Sequence, residues 1–135
     1  MKYLLDTHIL IWAFSDVERL SKKAFDVISS KENQIFYSVL SVFEVEWKYI
    51  HHPQGISLNG NQLLKYCDEA GFIQVPLKVE HILELKNLTR SENFPPHKDP
   101  FDKLMLAQSI IEEMIFITHD KRIAEYDAKN ILFST

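Results

Sequence analysis

Five acidic residues follow short apolar segments of the chain, either directly or within the next few turns. They are Asp6, Glu44, Asp99, Asp102 and Asp120. If the apolar segments are neighbouring strands, these carboxylates meet at one edge of a sheet, where they repel one another unless a cation lies among them. Ligand sets made only of oxygen favour Mg²⁺ or Mn²⁺ over Zn²⁺. The five acids therefore predict a site for a divalent metal ion.

Each of these acids also has a purely structural interpretation. Asp6, Asp99 and Asp120 could each cap the helix or turn that follows it. Asp102 would then occupy the third position of a helix that begins at Pro100, where the helix dipole favours a negative charge. Taken one at a time, the acids do not decide between a structural and a catalytic role.

The helix predicted from Val39 to about Ile50 carries Glu44. The pair Ser41 and Glu44 matches a capping box, and Glu44 lies four residues before Lys48, which is the spacing of a helical ion pair. Apolar residues surround this helix almost completely, while Ser41, Glu44, Lys48 and His51 form one narrow polar stripe. Since a helix that is apolar on nearly all sides is expected to be buried, the polar stripe should face a cavity or a partner.

Short apolar strands alternate with helices along the chain. Strands are predicted at Lys2–Asp6, Gln34–Ser38, Phe72–Val75, Ile115–Thr118 and Ile131–Phe133. Helices are predicted from about Leu20 to Lys31, and at Val39–Ile50, Asn59–Ala70, Val79–Leu88, Pro100–Met114 and Lys121–Tyr126, with a loop at Arg90–Lys98. This alternation indicates an α/β domain with a mostly parallel sheet. Ligands of such sheets bind beyond the carboxyl ends of the strands, which is where the acids stand.

The composition is that of one folded domain spanning residues 1–135. The chain is 46% hydrophobic and 25% charged, and it has a single cysteine, Cys67, so an internal disulfide is impossible and a reducing cytoplasm is expected. Asp6 and His8 interrupt the apolar N-terminal segment, and no stretch is long enough to span a membrane. The net charge of −4 is not typical of a strong nucleic-acid binder, so an RNA substrate would need a metal ion or local cations.

Four segments resemble motifs of the PIN domain family, and together they span essentially the whole chain. They are Leu4–His8 (LLDTH), Ser41–Val45 (SVFEV), Asp99–Gln108 (DPFDKLMLAQ) and Ile117–Asp120 (ITHD). The third segment, with His97 and Lys98 in front of it, resembles a VapC-type subgroup.

The resemblance implies a three-layer α/β/α sandwich whose five-stranded sheet has the order 3-2-1-4-5. It also implies a Mg²⁺- or Mn²⁺-dependent ribonuclease that acts as the toxin of a type II toxin–antitoxin pair. RNA would be the substrate, a cognate antitoxin the partner and a homodimer the assembly. The metal would be held chiefly by Asp6, Asp102 and Asp120, and Glu44 would complete the site or orient a water molecule. Asp99 matches the motif, although helix capping explains it fully.

Other side chains near the motifs are candidates for contacts with substrate or partner. Lys48, Lys98, Lys103 and Arg122 could contact phosphates, and His8, His97 and His119 adjoin motif acids. Apolar residues on the early segments could belong to the core or could form a groove for an antitoxin; they are Ile11, Trp12, Phe14, Trp47 and Tyr49.

Two other functions compete with the ribonuclease. A phosphohydrolase of the haloacid dehalogenase type would have a second aspartate two residues after Asp6, but His8 stands there. A non-catalytic PIN-like module that binds RNA or protein is the stronger alternative. The presence of all the family acids argues against it.

Overall fold

The structure is a computed structural model that describes residues 1–91, 93–94 and 99–135. The strands are β1 (Lys2–Leu5), β2 (Gln34–Ser38), β3 (Ile73–Val75), β4 (Ile115–Thr118) and β5 (Ile131–Phe133). The helices are α1 (Thr7–Ser15), α2 (Lys22–Ser29), α3 (Val39–His51), α4 (Gly60–Ala70), α5 (Val79–Leu83), α6 (Pro100–Ile111) and α7 (Lys121–Ala124). Within the described residues, no helix has the length and apolar character needed to cross a membrane.

The five strands form one sheet in the order β3-β2-β1-β4-β5, and every neighbouring pair is parallel. Alternate side chains of β1 point to opposite faces, so Tyr3 and Leu5 belong to one apolar core and Leu4 to another. Residues of α1, α2 and α4 fill the first core, and residues of α6 and α7 fill the second. The predicted three-layer sandwich and its strand order are therefore confirmed.

Helix α1 is the one long element that the sequence did not predict. Its residues, THILIWAFS, are apolar on almost every side, so no alternation of polar and apolar faces marks a helical period. The helix forms because the Asp6 side chain accepts a hydrogen bond from the Thr7 backbone N–H at 2.7 Å and caps its first turn. Ile9 and Leu10 are then fully buried against the sheet.

Helix α3 differs from its prediction in two ways. It begins at Val39, and the Ser38 hydroxyl caps it by accepting a hydrogen bond from the Leu40 N–H, so the predicted Ser41–Glu44 capping box is wrong. The helix is also not buried on all sides, because the side chains of Phe43 and Trp47 are 47% and 55% exposed. The apolar pattern indicated burial, whereas the structure leaves one aromatic face uncovered.

Three predicted helices end earlier than expected, and several local signals hold. Helix α5 stops at Leu83 and continues as a 3₁₀ turn, α6 stops at Ile111, and α7 stops at Ala124. Gly71 adopts a left-handed conformation (φ 78°) just after α4, as its position predicted. Ser21 caps α2, and Cys67 is fully buried.

Candidate active site

All five predicted acids line one cavity at the carboxyl ends of the central strands. The cavity has a volume of ≈ 320 Å³, and its walls are Asp6, Thr7, His8, Glu44, Asp99, Asp102, His119 and Asp120. It lies at the end of β1, between β2 on one side and β4 on the other. The strand order reverses here, so the connections on the two sides of this point cross opposite faces of the sheet. This is the position at which open parallel sheets bind their ligands.

Asp6 is the most deeply placed of the acids, with only 4% of its surface exposed. Its carboxylate accepts hydrogen bonds from the Thr7 backbone N–H at 2.7 Å and from the Thr118 hydroxyl at 2.6 Å. Burial raises the pKa of Asp6, and these two hydrogen bonds oppose that rise by stabilising the anion. The carboxylate is thus fixed in orientation by β4 as well as by its own helix.

Thr118 links Asp6 to Asp120. Its hydroxyl donates to Asp6 and accepts a hydrogen bond from the Asp120 backbone N–H at 3.0 Å, and it is fully buried. Asp120 itself caps α7 by accepting a hydrogen bond from the Arg122 N–H at 2.9 Å. One side chain therefore sets the spacing of the acids that follow β1 and β4.

A second hydroxyl chain orients Glu44. The Thr7 hydroxyl donates a hydrogen bond to Glu44 Oε1 at 2.9 Å. It also lies 2.8 Å from the Ser41 hydroxyl. Because the single hydrogen of Thr7 is directed to Glu44, Ser41 is the donor between the two hydroxyls. The predicted Glu44–Lys48 ion pair is replaced by this contact across helices. Of the predicted polar stripe, Glu44 lines this cavity and Lys48 lines a larger cavity beside it, whereas Ser41 is fully buried and lines neither.

The pair Asp99 and Asp102 belongs to the start of α6. Asp99 caps the helix by accepting a hydrogen bond from the Phe101 N–H at 3.0 Å, as predicted, and it also lines the cavity. Asp102 is half-buried one turn further on and shares a hydrogen bond with Asp120. Capping and cavity lining are therefore compatible roles for the same residue.

The electrostatics of the cavity disfavour a full set of carboxylate anions. Burial, followed by repulsion from Asp6 and the hydrogen bond with Asp120, raises the pKa of Asp102 to about 9. Burial also raises the pKa of Glu44 to about 7, although the hydrogen bond from Thr7 opposes this rise. Two of the acids thus retain protons near neutral pH when nothing else balances the charge.

The donor set fits a hard divalent cation, which would hold these carboxylates in their ionised form. Among the described residues, no three acidic, histidine or cysteine side chains already stand in a metal-binding arrangement. The hydrogen bond between Asp102 and Asp120 instead contributes to the raised pKa of Asp102. A cation bound in this cavity would have the carboxylate oxygens of the five lining acids as its available donors.

The other predicted contacts are divided between several places. His8 and His119 line the acidic cavity, and His119 Nδ1 lies 2.6 Å from the Ser134 carbonyl oxygen. A larger cavity, which shares Thr7, His8 and Glu44 with the acidic one, opens beside it, and Lys48 lines this larger cavity. Lys103 and Arg122 line neither of the two cavities. The predictions for His97 and Lys98 lie outside the described residues. Thr7 and Thr118 each follow or end a strand, a position at which the sequence pattern fits an ordinary cap and a hydrogen bond to a neighbouring acid equally well.

The predicted apolar surface is split in the same way. Ile11, Trp12 and Phe14 pack against the first core, and Ile11 and Trp12 also line the larger cavity beside the acidic one. Trp47 and Tyr49 are exposed. We call Phe101, Phe43, Trp47 and His51 the α3 aromatic face, because in this order their rings follow one another at centroid distances of 5.3, 5.8 and 4.1 Å.

Comparisons with known proteins agree with this architecture. The sequence matches the PIN domain over residues 3–129. A comparison with curated protein sequences gives no match.

Several solved structures share the fold at low sequence identity. A chain of Rickettsia felis VapBC2 bound to a DNA fragment from its promoter has 14% identity and a TM-score of 0.67, with 100% of both chains covered. A chain of DNA-bound VapBC from Salmonella typhimurium has 15% identity and a TM-score of 0.61, covering 99% of this chain and 97% of that one. A toxin–antitoxin complex from Klebsiella pneumoniae has 17% identity and a TM-score of 0.59, covering 96% and 95%.

Proposed function

Since this chain belongs to the PIN domain family, we propose that it is a Mg²⁺- or Mn²⁺-dependent endoribonuclease that hydrolyses phosphodiester bonds in RNA. The observation that carries the proposal is the convergence of Asp6, Glu44, Asp99, Asp102 and Asp120 on one cavity. A structural role explains each acid separately, but it does not explain why the acids lie together where burial, and then repulsion from Asp6, raise the pKa of Asp102. A polyanionic cavity is useful when it binds a cation.

Each residue contributes a separate part of the mechanism. Asp6, Asp102 and Asp120 would hold the ion, and Thr118 keeps Asp6 and Asp120 aligned for it. Glu44, with one carboxylate oxygen fixed by Thr7, uses the other to orient the attacking water and accept its proton. A bound divalent ion supplies charge that shields the scissile phosphate and makes the water more acidic. Asp99 positions the first turn of α6, and with it Asp102.

The test is a cleavage assay on purified protein with labelled oligoribonucleotides. We expect cleavage with Mg²⁺ or Mn²⁺ and none after EDTA treatment, with activity restored when the metal is returned. The Asp102→Asn variant, purified in the same way, measures any contaminating ribonuclease. Cleavage that persists undiminished in EDTA would overturn the metal mechanism, and RNA binding without cleavage would favour the binding module.

We also propose that the protein is a VapC-type toxin with a cognate antitoxin and that it acts in the cytoplasm. The support is the shared fold with chains from VapBC and other toxin–antitoxin complexes, together with a lone, buried Cys67 that suits a reducing compartment. Expression of the protein alone should arrest bacterial growth, and co-expression of an adjoining antitoxin gene should restore it. Harmless expression of an active nuclease would remove the toxin role and leave the ribonuclease role standing.

We further propose that two copies of the chain associate as a homodimer. The α3 aromatic face supports this assembly, since uncovered aromatic rings in contact with one another are typical of association surfaces. Sedimentation of the unsubstituted protein should give the mass of a dimer, and Trp47→Asp should give a monomer with an unchanged circular dichroism spectrum. A monomeric unsubstituted protein at micromolar concentration would refute the assembly.

A further inference from the structure

A second and larger cavity opens beside the acidic one. Its volume is ≈ 730 Å³, and it shares Thr7, His8 and Glu44 with the acidic cavity. Its walls come from α1, the turn that follows α1, α3 and residues 54–57. A polymer whose phosphate lies among the acids can therefore continue into this cavity past the Glu44 side chain. The volume lies within the roughly 300–1,000 Å³ that small-molecule sites occupy.

The lining of this cavity combines apolar residues with two cations, Arg19 and Lys48, and two acids, Asp16 and Glu44. Ile11, Trp12 and Ile56 form part of its wall. The Arg19 guanidinium lies over the Trp12 ring, 5.6 Å from the ring centroid, and Arg19 Nε is 3.1 Å from Asp16. Lys48 stands on the same wall. Aromatic rings beside cations are what proteins use to bind single-stranded nucleic acid, because the base stacks and the phosphate is neutralised.

We propose that the second cavity binds the unpaired nucleotide next to the cleaved bond, with its base packed against Trp12 and its phosphate beside Lys48. The proposal rests on the ribonuclease function and assigns to it a subsite for the nucleotide beside the cleaved bond. A base inside a duplex has both faces covered by its neighbours in the stack, so it has no free face for Trp12. Lys48 is the cation assigned to the phosphate, because Arg19 already pairs with Asp16.

The two tryptophans of the chain provide a binding test with a built-in control. Trp12 lines the cavity, and Trp47 lies on the α3 aromatic face outside both cavities. In an Asp102→Asn background with Mg²⁺ present, the Trp47→Phe protein retains only Trp12, and its fluorescence should be quenched by a single-stranded oligoribonucleotide. The Trp12→Phe protein retains only Trp47 and should show no quenching. The opposite pattern would place the RNA on α3 and overturn the proposal.

A kinetic test uses residues that do not support the core. Lys48 and Lys65 are both exposed lysines on helices, and only Lys48 lines the cavity. Lys48→Ala should lower kcat/KM about tenfold for a single-stranded substrate, whereas Lys65→Ala should leave it unchanged. An equal effect of the two substitutions, or no effect of either, would overturn the assignment.

Removal of one base from the substrate tests the contact with Trp12 directly. An abasic nucleotide beside the cleavage site should lower kcat/KM about tenfold in the unsubstituted protein and have little effect in Trp12→Leu, because the same contact is already lost. Thermal melting of Trp12→Leu checks that it is folded. If the base is equally important in both proteins while RNA is cleaved with Mg²⁺, this inference fails and the ribonuclease function stands. If no RNA is cleaved at all, the proposed function fails.

Discussion

Replacement of Asp102 by asparagine should stabilise the metal-free protein and abolish its activity. The pKa of Asp102 is about 9 in the folded chain, compared with 3.8 for the free side chain. At pH 7 the folded chain must keep this carboxyl protonated or tolerate its repulsion. Each pH unit between 3.8 and 7 lowers the free energy of unfolding by about 1.4 kcal/mol, which gives a total of about 4 kcal/mol as an upper limit. Solvent screening of the half-buried side chain reduces the cost to about 1–2 kcal/mol.

The sign of the pH dependence follows from the direction of this shift. A carboxyl whose pKa is raised by folding stabilises the protein fully below pH 3.8, and that contribution is lost as the pH rises toward 9. In EDTA, the unsubstituted protein should therefore become less stable between pH 5 and pH 8, and Asp102→Asn should lose less stability over the same range. A divalent cation should reverse the order at pH 8, because only the carboxylate gains from binding it.

Thermal and chemical denaturation at pH 5 and pH 8, with EDTA and with Mg²⁺, measures these differences. We expect Asp102→Asn in EDTA at pH 8 to have a Tm about 5 °C higher than the unsubstituted protein. Asp68→Asn is the matched control, because Asp68 is exposed on α4 and its replacement is chemically the same and changes the formal net charge equally. A lower Tm for Asp102→Asn in EDTA, or an equal rise in the control, would refute the argument that the cavity strains this carboxylate.

Three further outcomes are expected. Asp6→Asn should lower cleavage by about 100-fold or more, while Asp99→Asn should lower it much less because asparagine also caps a helix; equal losses in the cleavage assay would show that both residues hold the metal. Thr118→Val should destabilise the fold by about 2 kcal/mol in urea denaturation, since it removes hydrogen bonds to Asp6 and from the Asp120 N–H; unchanged stability would show that this bridge is unimportant. Burial raises the pKa of Cys67 to about 12, so a thiol reagent should modify it only after unfolding, and rapid labelling of the native protein would contradict that burial.

The sequence predicted the strands well because each strand is short, apolar and bounded by a clear signal. Three of the five strand predictions agree fully with the structure, and the other two, Lys2–Asp6 and Phe72–Val75, differ from it by one residue at one end. The acids could be predicted as a group because a parallel sheet brings the residues after its strands to one edge. Helix α1 could not, because its residues are apolar on nearly all sides and leave no polar face to reveal a helix.

The contacts that orient the acids were harder to predict. The hydrogen bond from Thr118 to Asp6 joins residues 112 positions apart, and that from Thr7 to Glu44 joins residues 37 positions apart. A hydroxyl residue at a strand end fits an ordinary cap equally well, so only the packing of β1 against β4 distinguishes the two roles. The exposure of the α3 aromatic face was missed for a related reason, since an apolar pattern does not distinguish a core from a surface that another chain could cover.

The position of β1 between β2 and β4 has a consequence for how the protein is made. During synthesis, β1 and β2 can pair early, but β4 and Asp120 are added only when most of the chain has been translated. Until β4 pairs with β1, Asp6 lacks its hydrogen bond from Thr118, and Asp102 and Asp120 have no fixed place beside it. A growing chain therefore cannot assemble the acidic cavity before β4 is added, so the proposed ribonuclease would gain its site only late in synthesis.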